Sequence, residues 1–353
     1  MEHKQIITDL IDNLIEQEAS DLHLSEDKLP IMRVASSLIP LVRYKVLSRQ
    51  DLKGILDTLL SQKQKEQFVD QKEVDFAYDH RGIIRLRGNA YFQLGKISVA
   101  LRLIPKKIRT MEELNLPPIL ESFVNKQQGF FLVVGPTGQG KSTTLAAMIN
   151  HINTHRLEHI ITIEDPIEYI FESDKSLVEQ REIREDTPDF HTALRGVFRQ
   201  DIDVLMIGEM REPETIATAV TAAETGHLVF STLHTNTASQ TVARIVDSFV
   251  AEQQSQIRVQ LSASLIGIFS QRLIPRISGG MVPAYELLIN NAAVANLIRE
   301  NRVHELNSVI ETGSELGMID LNRTLSELVK AGEITVENAY MFSQNSKGLE
   351  RLL

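Results

Sequence analysis

Apolar residues repeat at helical spacing in two segments near the start of the chain, Ile6–Ile15 and Ser48–Leu60, and the serine that opens the second segment is an expected N-cap. Other early segments partly alternate apolar and polar residues, which is typical of strands with one buried face. These predicted strands are Leu22–Leu24, Val74–Tyr78, Ile83–Phe92 and Ile97–Ile104. The pattern predicts a small α+β domain in which a sheet carries helices on one face.

From Gly129 onward, strand-like and helix-like segments alternate, as a parallel α/β sheet requires. Short apolar runs predict buried strands at Phe130–Val134, Ile160–Ile163, Val204–Ile207 and Leu228–Leu233. Helical patterns predict helices over Lys141–Ile149, from Thr187-Pro188-Asp189 with the proline at N1, over Pro213–Ala223, and over Ala238–Phe249.

The segment Pro105–Pro118 separates the two patterns. It is charged, ends in Pro-Pro and lacks the periodicity of its flanks. We therefore predict an N-terminal domain over residues 1–104, a hinge-like linker over 105–118, an α/β core over 119–290 and a helical C-terminal part over 291–353.

A glycine-rich segment joins the first buried strand of the core to its helix. It has the pattern G-x-x-x-x-G-K-[ST], in which the glycines let backbone N–H groups point at phosphate oxygens and the helix directs its positive dipole end there. Lys141 adds a positive charge for the β- and γ-phosphates, and the Ser142 hydroxyl can ligate Mg²⁺. The predicted nucleotide-binding residues are Gly135, Pro136, Thr137, Gly138, Gln139, Gly140, Lys141, Ser142 and Thr143.

Polar residues follow three further predicted strands: Glu164 with Asp165, Glu209, and His234. Taken singly, each could be a helix cap or a surface charge. Because open parallel sheets bind ligands outside the carboxyl ends of their strands, their shared placement predicts one site around a nucleotide.

Hydrolysis of a γ-phosphate needs charge neutralisation, a positioned water and a cation for the developing charge. We assign Glu209 to position and deprotonate the water, and His234 to sense the γ-phosphate. Glu164 and Asp165 are the expected outer-shell carboxylates for Mg²⁺. No cation candidate directly follows a strand, so an oligomer or the first domain would have to supply one.

Length, net charge and amino-acid composition exclude several classes of protein. A length of 353 residues suits two domains, and the net charge of −10 argues against a general nucleic-acid binder. The absence of cysteine excludes disulfides and cysteine-ligated zinc. The first residues are unlike a signal peptide, and no apolar run approaches the roughly 18 residues of a membrane span. A cytoplasmic protein is the expectation.

Four motifs together resemble those of the type II/IV secretion ATPases, in the twitching-motility (PilT-like) branch, and the resemblance covers nearly the whole chain. Residues 135–144, GPTGQGKSTT, are similar to the Walker A motif of the family, and IEDPIE at 163–168 to its aspartate box. DVLMIGEMR at 203–211 is similar to its Walker B motif, and TGHLVFSTLHTN at 225–236 to its histidine box. ASDLHLS at 19–25 and ANLIRE at 295–300 also resemble signatures of the retraction branch.

This resemblance implies a PAS-like N-terminal domain, a RecA-like P-loop core and a helical C-terminal part, assembled as a homohexamer. It implies ATP and Mg²⁺ as ligands, and a motor that powers type IV pilus retraction at the inner membrane through the platform protein of the pilus machine. Glu164 and Glu209 match catalytic carboxylates, and His227 and His234 match the histidine-box pair. Arg87 and Arg102, which spacing alone favours as solvated strand residues, match arginines that reach the phosphates.

The chain also departs from the family pattern. RVASSL at 33–38 lacks an expected glycine turn, Gln93-Leu94-Gly95-Lys96 lacks a basic residue before glycine, and Asp201-Ile202-Asp203 replaces Asp-Pro-Asp. Pilus extension and type II secretion ATPases are typically longer and carry a four-cysteine zinc element, so the retraction branch is favoured. An accessory retraction paralogue, a regulatory ring subunit with little turnover and a DNA translocase remain alternatives.

Overall fold

The computed structural model describes residues 2–17, 19–34, 37–104 and 107–353, and the chain divides into two compact units, Met1–Lys107 and Ile108–Leu353. Pro105 and Lys106 of the predicted linker lie outside the described residues, as do Ala35 and Ser36 of the divergent 33–38 segment. From Ile108 the chain packs into the second unit, where Met111 and Leu116 are buried in a core cluster.

The first unit is a six-stranded antiparallel sheet with helices that share its core. Its helices are α1 (Glu2–Glu16), α2 (Arg49–Leu59) and α3 (Gln62–Gln71). Its strands, in the order β3-β2-β1-β6-β5-β4, are β1 (Asp21–Ser25), β2 (Ile31–Val34), β3 (Ser37–Pro40), β4 (Glu73–His80), β5 (Ile84–Gln93) and β6 (Lys96–Ile104). Ser48 is the N-cap of α2, as predicted: its hydroxyl accepts a hydrogen bond from the Asp51 N–H, and the Asp51 carboxylate accepts one from the Ser48 N–H.

The second unit is built on a seven-stranded sheet in the order β13-β12-β7-β11-β10-β8-β9. Its strands are β7 (Gly129–Val134), β8 (His159–Glu164), β9 (Leu177–Glu182), β10 (Val204–Ile207), β11 (Leu228–Leu233), β12 (Leu265–Pro275) and β13 (Met281–Ile289). Only β13 runs antiparallel to its neighbour among these strands. The carboxyl ends of the six parallel strands therefore meet at one edge of the sheet.

Helices cover both faces of this sheet, and the last helices of the chain pack at one end of it. They are α4 (Glu121–Val124), α5 (Lys141–His155), α6 (Phe190–Val197), α7 (Pro213–Glu224), α8 (Ala238–Asp247), α9 (Ala251–Ser264), α10 (Ala292–Arg299), α11 (Leu306–Thr312), α12 (Leu321–Lys330), α13 (Val336–Phe342) and α14 (Ser346–Glu350). Residues of α10 and α11 belong to the main core of the sheet, whereas α12–α14 form a smaller core with β12 and β13. Among the residues described, no helix is both long and apolar enough to cross a membrane.

The predicted start of α6 is wrong by two residues. Asp189, not Thr187, is the N-cap, and its carboxylate accepts a 2.6 Å hydrogen bond from the Thr192 N–H. Pro188 therefore precedes the cap and does not occupy N1. An aspartate side chain that satisfies a free N–H of the first turn sets the start of the helix two residues later than the proline pattern indicates.

Strand β12 is long enough to continue past the carboxyl end of its neighbour β7. Ser270 pairs with Val134, the last residue of β7, so the residues from Gln271 to Pro275 extend beyond it. They flank the loop 135–140, which joins β7 to α5. This offset brings side chains of β12 to the edge where the predicted site residues meet.

Candidate functional site

The loop over residues 135–140 has a backbone that requires its glycines. Gly135, Gly138 and Gly140 have φ angles of 154°, 78° and 77°. A Cβ atom on Gly135 would lie 2.5 Å from the carbonyl oxygen of Gln271, so β12 leaves no room for a side chain there. The loop turns directly into α5, whose free N–H groups favour phosphate at this end.

Lys141 is folded back onto this loop. Its Nζ donates hydrogen bonds of 2.9 Å to the Gly135 carbonyl and 3.0 Å to the Pro136 carbonyl, and the residue is 7% exposed. Burial lowers the pKa of Lys141, while the negative charges of Glu168 and Glu209 act in the opposite direction. A buried ammonium held by carbonyl oxygens can exchange them for phosphate oxygens, which are stronger acceptors.

Lys141, His234 and Glu209 form a chain of polar contacts across three strand ends. His234 Nδ1 lies 3.3 Å from Lys141 Nζ, and His234 Nε2 lies 3.5 Å from a Glu209 carboxylate oxygen. The other carboxylate oxygen of Glu209 is 2.6 Å from Arg211, whose side chain is 76% exposed. The structure thus brings together the predicted binding lysine, the predicted base and one histidine, and adds a cation beside the base.

Glu164 lies at the end of β8 in a more enclosed position. Its carboxylate accepts hydrogen bonds from the Thr162 hydroxyl at 2.7 Å and from Gln180 and the Glu168 N–H at 3.3 Å. Burial outweighs these bonds and raises its pKa to about 7. Its neighbour Asp165 lies 3.4 Å from the Arg184 guanidinium.

The oxygen ligands at this site suit a Mg²⁺ ion that is bound to a nucleotide. Ser142 lies half-buried at the start of α5, and the carboxylates at the neighbouring strand ends are hard oxygen donors of the kind that Mg²⁺ prefers. Within the described ranges no cluster of three or more His, Cys, Asp or Glu side chains could hold a metal ion by itself. This donor set fits an ion bound mainly through phosphates and water, the usual mode for Mg²⁺.

Gln271 of β12 contacts the loop, and neither this residue nor its neighbour Arg272 was predicted. Gln271 Nε2 donates to the Gln139 carbonyl at 2.8 Å, and its Oε1 accepts from the Thr144 hydroxyl at 2.6 Å. Gln139 Oε1 in turn accepts from the Leu273 N–H at 2.7 Å. Three consecutive polar residues, Ser-Gln-Arg, inside the otherwise apolar run LIGIFSQRLIP are the signal that could have identified these residues.

A cavity of about 450 Å³ opens beside the loop, on the side of α5 that carries Thr143 and Thr144. Arg109, Leu114 and Leu116 line one side of it. Gly279 and Gly280 of the β12–β13 turn and Met281, the first residue of β13, also line it. Its volume lies within the usual range of small-molecule sites.

His227 is not brought to this group of residues. It precedes the first residue of β11, whereas His234 follows the last, so the two lie roughly 20 Å apart along a strand. The ring of His227 contacts the Ala222 carbonyl at 2.9 Å and packs edge-on against Phe198. Its role in hydrolysis stays a prediction.

Arg87 and Arg102 lie in the first unit, on neighbouring strands. They are paired in the register of β5 and β6, on the sheet face opposite the buried Leu86 and Leu101. Arg102 binds Asp21 at 2.8 Å, although its side chain is 69% exposed. Their role toward phosphate also stays a prediction.

The buried carboxyl of Glu286 gives a stability prediction. It accepts a 2.7 Å hydrogen bond from the Ala238 N–H at the start of α8, and burial raises its pKa to about 7 from 4.5. The folded state therefore keeps this proton at pH values where the unfolded chain loses it, and stability falls as the pH rises from about 4.5 through 7. Glu286→Gln should be more stable than wild type at pH 8, by on the order of 1–3 kcal/mol, and nearly equal to it at pH 4.5.

Thermal unfolding at the two pH values measures this difference. Glu311→Gln, at an exposed position of α11, is the matched control and should show no pH-dependent gain. An equal effect of Glu286→Gln at both pH values would contradict a raised pKa for this carboxyl.

A glycine-rich loop between a buried parallel strand and a helix, with a buried lysine and carboxylates at adjacent strand ends, defines a P-loop ATPase. The model of the type II/IV secretion system protein family matches residues 2–281. The chain therefore belongs to the type II/IV secretion system protein family.

Two similar proteins extend this assignment along nearly the whole chain. The type IV pilus retractation ATPase PilT of Pseudomonas aeruginosa is 44% identical over 333 residues, which cover 94% of this chain and 96% of that protein. A twitching motility protein of Neisseria gonorrhoeae is 45% identical over 305 residues, covering 86% of this chain and 81% of that protein.

Solved structures agree with the fold. The crystal structure of the pilus retraction motor PilT with bound ADP superposes with a TM-score of 0.92 at 45% identity and covers 98% of this chain and 99% of its own. The ATPase DotB of Legionella pneumophila gives 0.80 at 26% identity, covering 95% and 94% of the two chains. The predicted α/β fold, a RecA-like P-loop core with a small N-terminal α+β domain and a helical C-terminal part, is confirmed.

Proposed function

We propose that this protein is a motor that hydrolyses ATP to retract type IV pili during twitching motility. The observation that carries the proposal is the contact chain Lys141–His234–Glu209 beside an intact phosphate loop. It occurs in a chain that is similar, over almost its full length, to a pilus retractation ATPase and to a solved retraction motor.

The triphosphate of ATP would lie on residues 135–143, with the β- and γ-phosphates at Lys141 and the Ser142 hydroxyl directed at Mg²⁺. Bound Mg²⁺ would neutralise developing charge on the phosphate oxygens. The α-phosphate end of such a loop faces the residues after the lysine, where Thr143 and Thr144 border the 450 Å³ cavity. We therefore assign this cavity to the nucleoside.

In hydrolysis, a water oxygen attacks the γ-phosphorus and the bond to the ADP oxygen breaks. Glu209 would hold this water and accept its proton, while His234, between Glu209 and Lys141, would donate a hydrogen bond to the γ-phosphate. Arg211, next to Glu209, is available to the same oxygens. We assign Glu164 and Asp165 to the outer shell of the ion.

We further propose that the protein works as a homohexamer on the cytoplasmic side of the inner membrane, docked on the platform protein of the pilus machine. The supporting observation is its similarity to pilus retraction ATPases. An accessory retraction role is the second candidate, since Pseudomonas aeruginosa has two similar ATPases: besides PilT, its type IV pilus ATPase PilU is 38% identical over 341 residues. A net charge of −10 disfavours the alternative that the motor translocates DNA.

Deletion of the gene distinguishes a main retraction motor from an extension motor and from an accessory protein. If the chain is the main retraction motor, cells should keep assembled pili, accumulate them on the surface and stop twitching, because assembly continues without withdrawal. Electron microscopy of surface pili and a twitching assay on agar measure both effects. Loss of assembled pili would instead indicate extension, and near-normal twitching would indicate the accessory role.

A further inference from the structure

Three donors converge on one backbone carbonyl, that of Asn236. The Ser270 hydroxyl lies 2.8 Å from this oxygen, an Nη atom of Arg272 lies 3.1 Å from it, and Gln344 Nε2 lies 3.2 Å from it. Asn236 follows His234 by two residues, in the loop between β11 and α8. The loop that carries His234 is thus held by strand β12 and by the segment between α13 and α14.

Arg272 makes the most extensive of these contacts. The Nη2 atom that binds the Asn236 carbonyl also lies 3.0 Å from the side-chain oxygen of the same residue, and Nη1 donates to the Gln271 carbonyl at 2.8 Å. Nη1 is also 3.4 Å from the point where a Cβ on Gly135 would lie. The guanidinium therefore joins strand β12 to the loop that carries His234, and it lies near the first residue of the phosphate loop.

The charge of Arg272 is unusual for a residue that is only 7% exposed. In the part of the chain that the structure describes, its guanidinium has no carboxylate within 4.0 Å and is held by carbonyl and amide oxygens alone. Burial lowers its pKa, and Glu286 opposes that effect only from a distance. A buried cation without an ion pair is costly to keep, which argues for a task beyond packing.

We propose that Arg272 is a positioning residue for ATP hydrolysis: by holding Asn236 beside Gln271 of β12, it sets the His234 imidazole between Lys141 and Glu209. The proposal rests on the proposed function, since it concerns the reaction at the same site. Arg272 acts through the loop, because both of its terminal nitrogens are bound to Gln271 and Asn236.

Arg272→Lys is the informative variant. It keeps the positive charge but a single ammonium cannot span the Gln271 carbonyl and both oxygens of Asn236 as the planar guanidinium does. We expect kcat for ATP hydrolysis to fall about tenfold or more, since small misplacements of reacting groups have effects of this order. Affinity for ADP should stay within about threefold, because ADP lacks the phosphate that His234 would contact.

The same change in a His234→Ala background separates positioning from a general structural effect. If Arg272 acts through His234, adding Arg272→Lys to His234→Ala should cause no further loss of kcat. Asn236→Ala, which removes only one acceptor of the guanidinium, should give a smaller loss that also disappears in the His234→Ala background. Arg323→Lys, on the exposed face of α12, is the control and should match wild type.

The outcomes are distinct. An equal fold loss from Arg272→Lys in both backgrounds, or no loss in either, would overturn the positioning role. If Arg272→Lys does not fold, as judged by its melting temperature, the Asn236→Ala comparison decides the same question. An inactive wild-type protein, or His234→Ala with full activity, would instead count against the proposed reaction at this site.

Discussion

Glu209→Gln should bind ATP with nearly unchanged affinity and hydrolyse it roughly 10²-fold or more slowly. The carboxylate lies at the end of β10 within 3.5 Å of His234 and 2.6 Å of Arg211, so it is placed to hold a water beside the phosphate loop. Glutamine keeps the shape and can accept a hydrogen bond, but it cannot take a proton. Steady-state phosphate release and equilibrium nucleotide binding separate the two effects.

Lys141→Ala should lose both binding and turnover, because its ammonium is the buried charge in the loop. Glu212→Gln, at an exposed position three residues after the proposed base, is the matched control and should retain turnover. Near-normal hydrolysis by Glu209→Gln would remove this residue from the role of base and make Glu164 the next candidate.

Arg87→Ala and Arg102→Ala should assemble and bind ATP but hydrolyse it poorly. The family resemblance implies that these arginines reach the nucleotide phosphates, and arginines of this kind account for roughly 10³–10⁵ in rate. Asp21, the partner of Arg102, is mostly buried, but without Arg102 it keeps the Ser20 hydroxyl at 2.7 Å and the Arg33 guanidinium at 3.9 Å. We therefore expect the variants to fold, and their melting temperatures check this.

Light scattering, nucleotide binding and phosphate release test the two arginine variants, with the exposed Arg43→Ala as the control. Hydrolysis at the wild-type rate by both variants would remove the first unit from the reaction. Failure to form hexamers would indicate that these arginines serve assembly.

The repeating patterns of the sequence were sufficient for most of the core. The strands at Val204–Ile207 and Leu228–Leu233 lie where predicted, because an apolar run of four to six residues between turn signals leaves few alternatives. The phosphate loop could be predicted from the spacing of its glycines and lysine. The approach of Glu209 to His234 could be predicted from the rule that ligands bind at the carboxyl ends of parallel strands.

What the sequence did not reveal depends on strand order and length. That β12 lies next to β7 and continues past its end is a property of the folded sheet, so the approach of Gln271 and Arg272 to the loop could not be read from spacing. The distance between the two members of the histidine pair also depends on the fold. His227 and His234 flank one strand, and an extended strand places its two ends apart.

If arginines of the first unit serve hydrolysis in the second, ATP turnover is coupled to movement of the units, which a ring can convert into mechanical work. The most direct test compares phosphate release by the full chain and by the isolated second unit, Ile108–Leu353, which contains the whole phosphate loop and the cavity. The fragment should bind nucleotide and release phosphate at about 1% of the full-length rate or less. Hydrolysis by the fragment at the full-length rate would contradict this coupling.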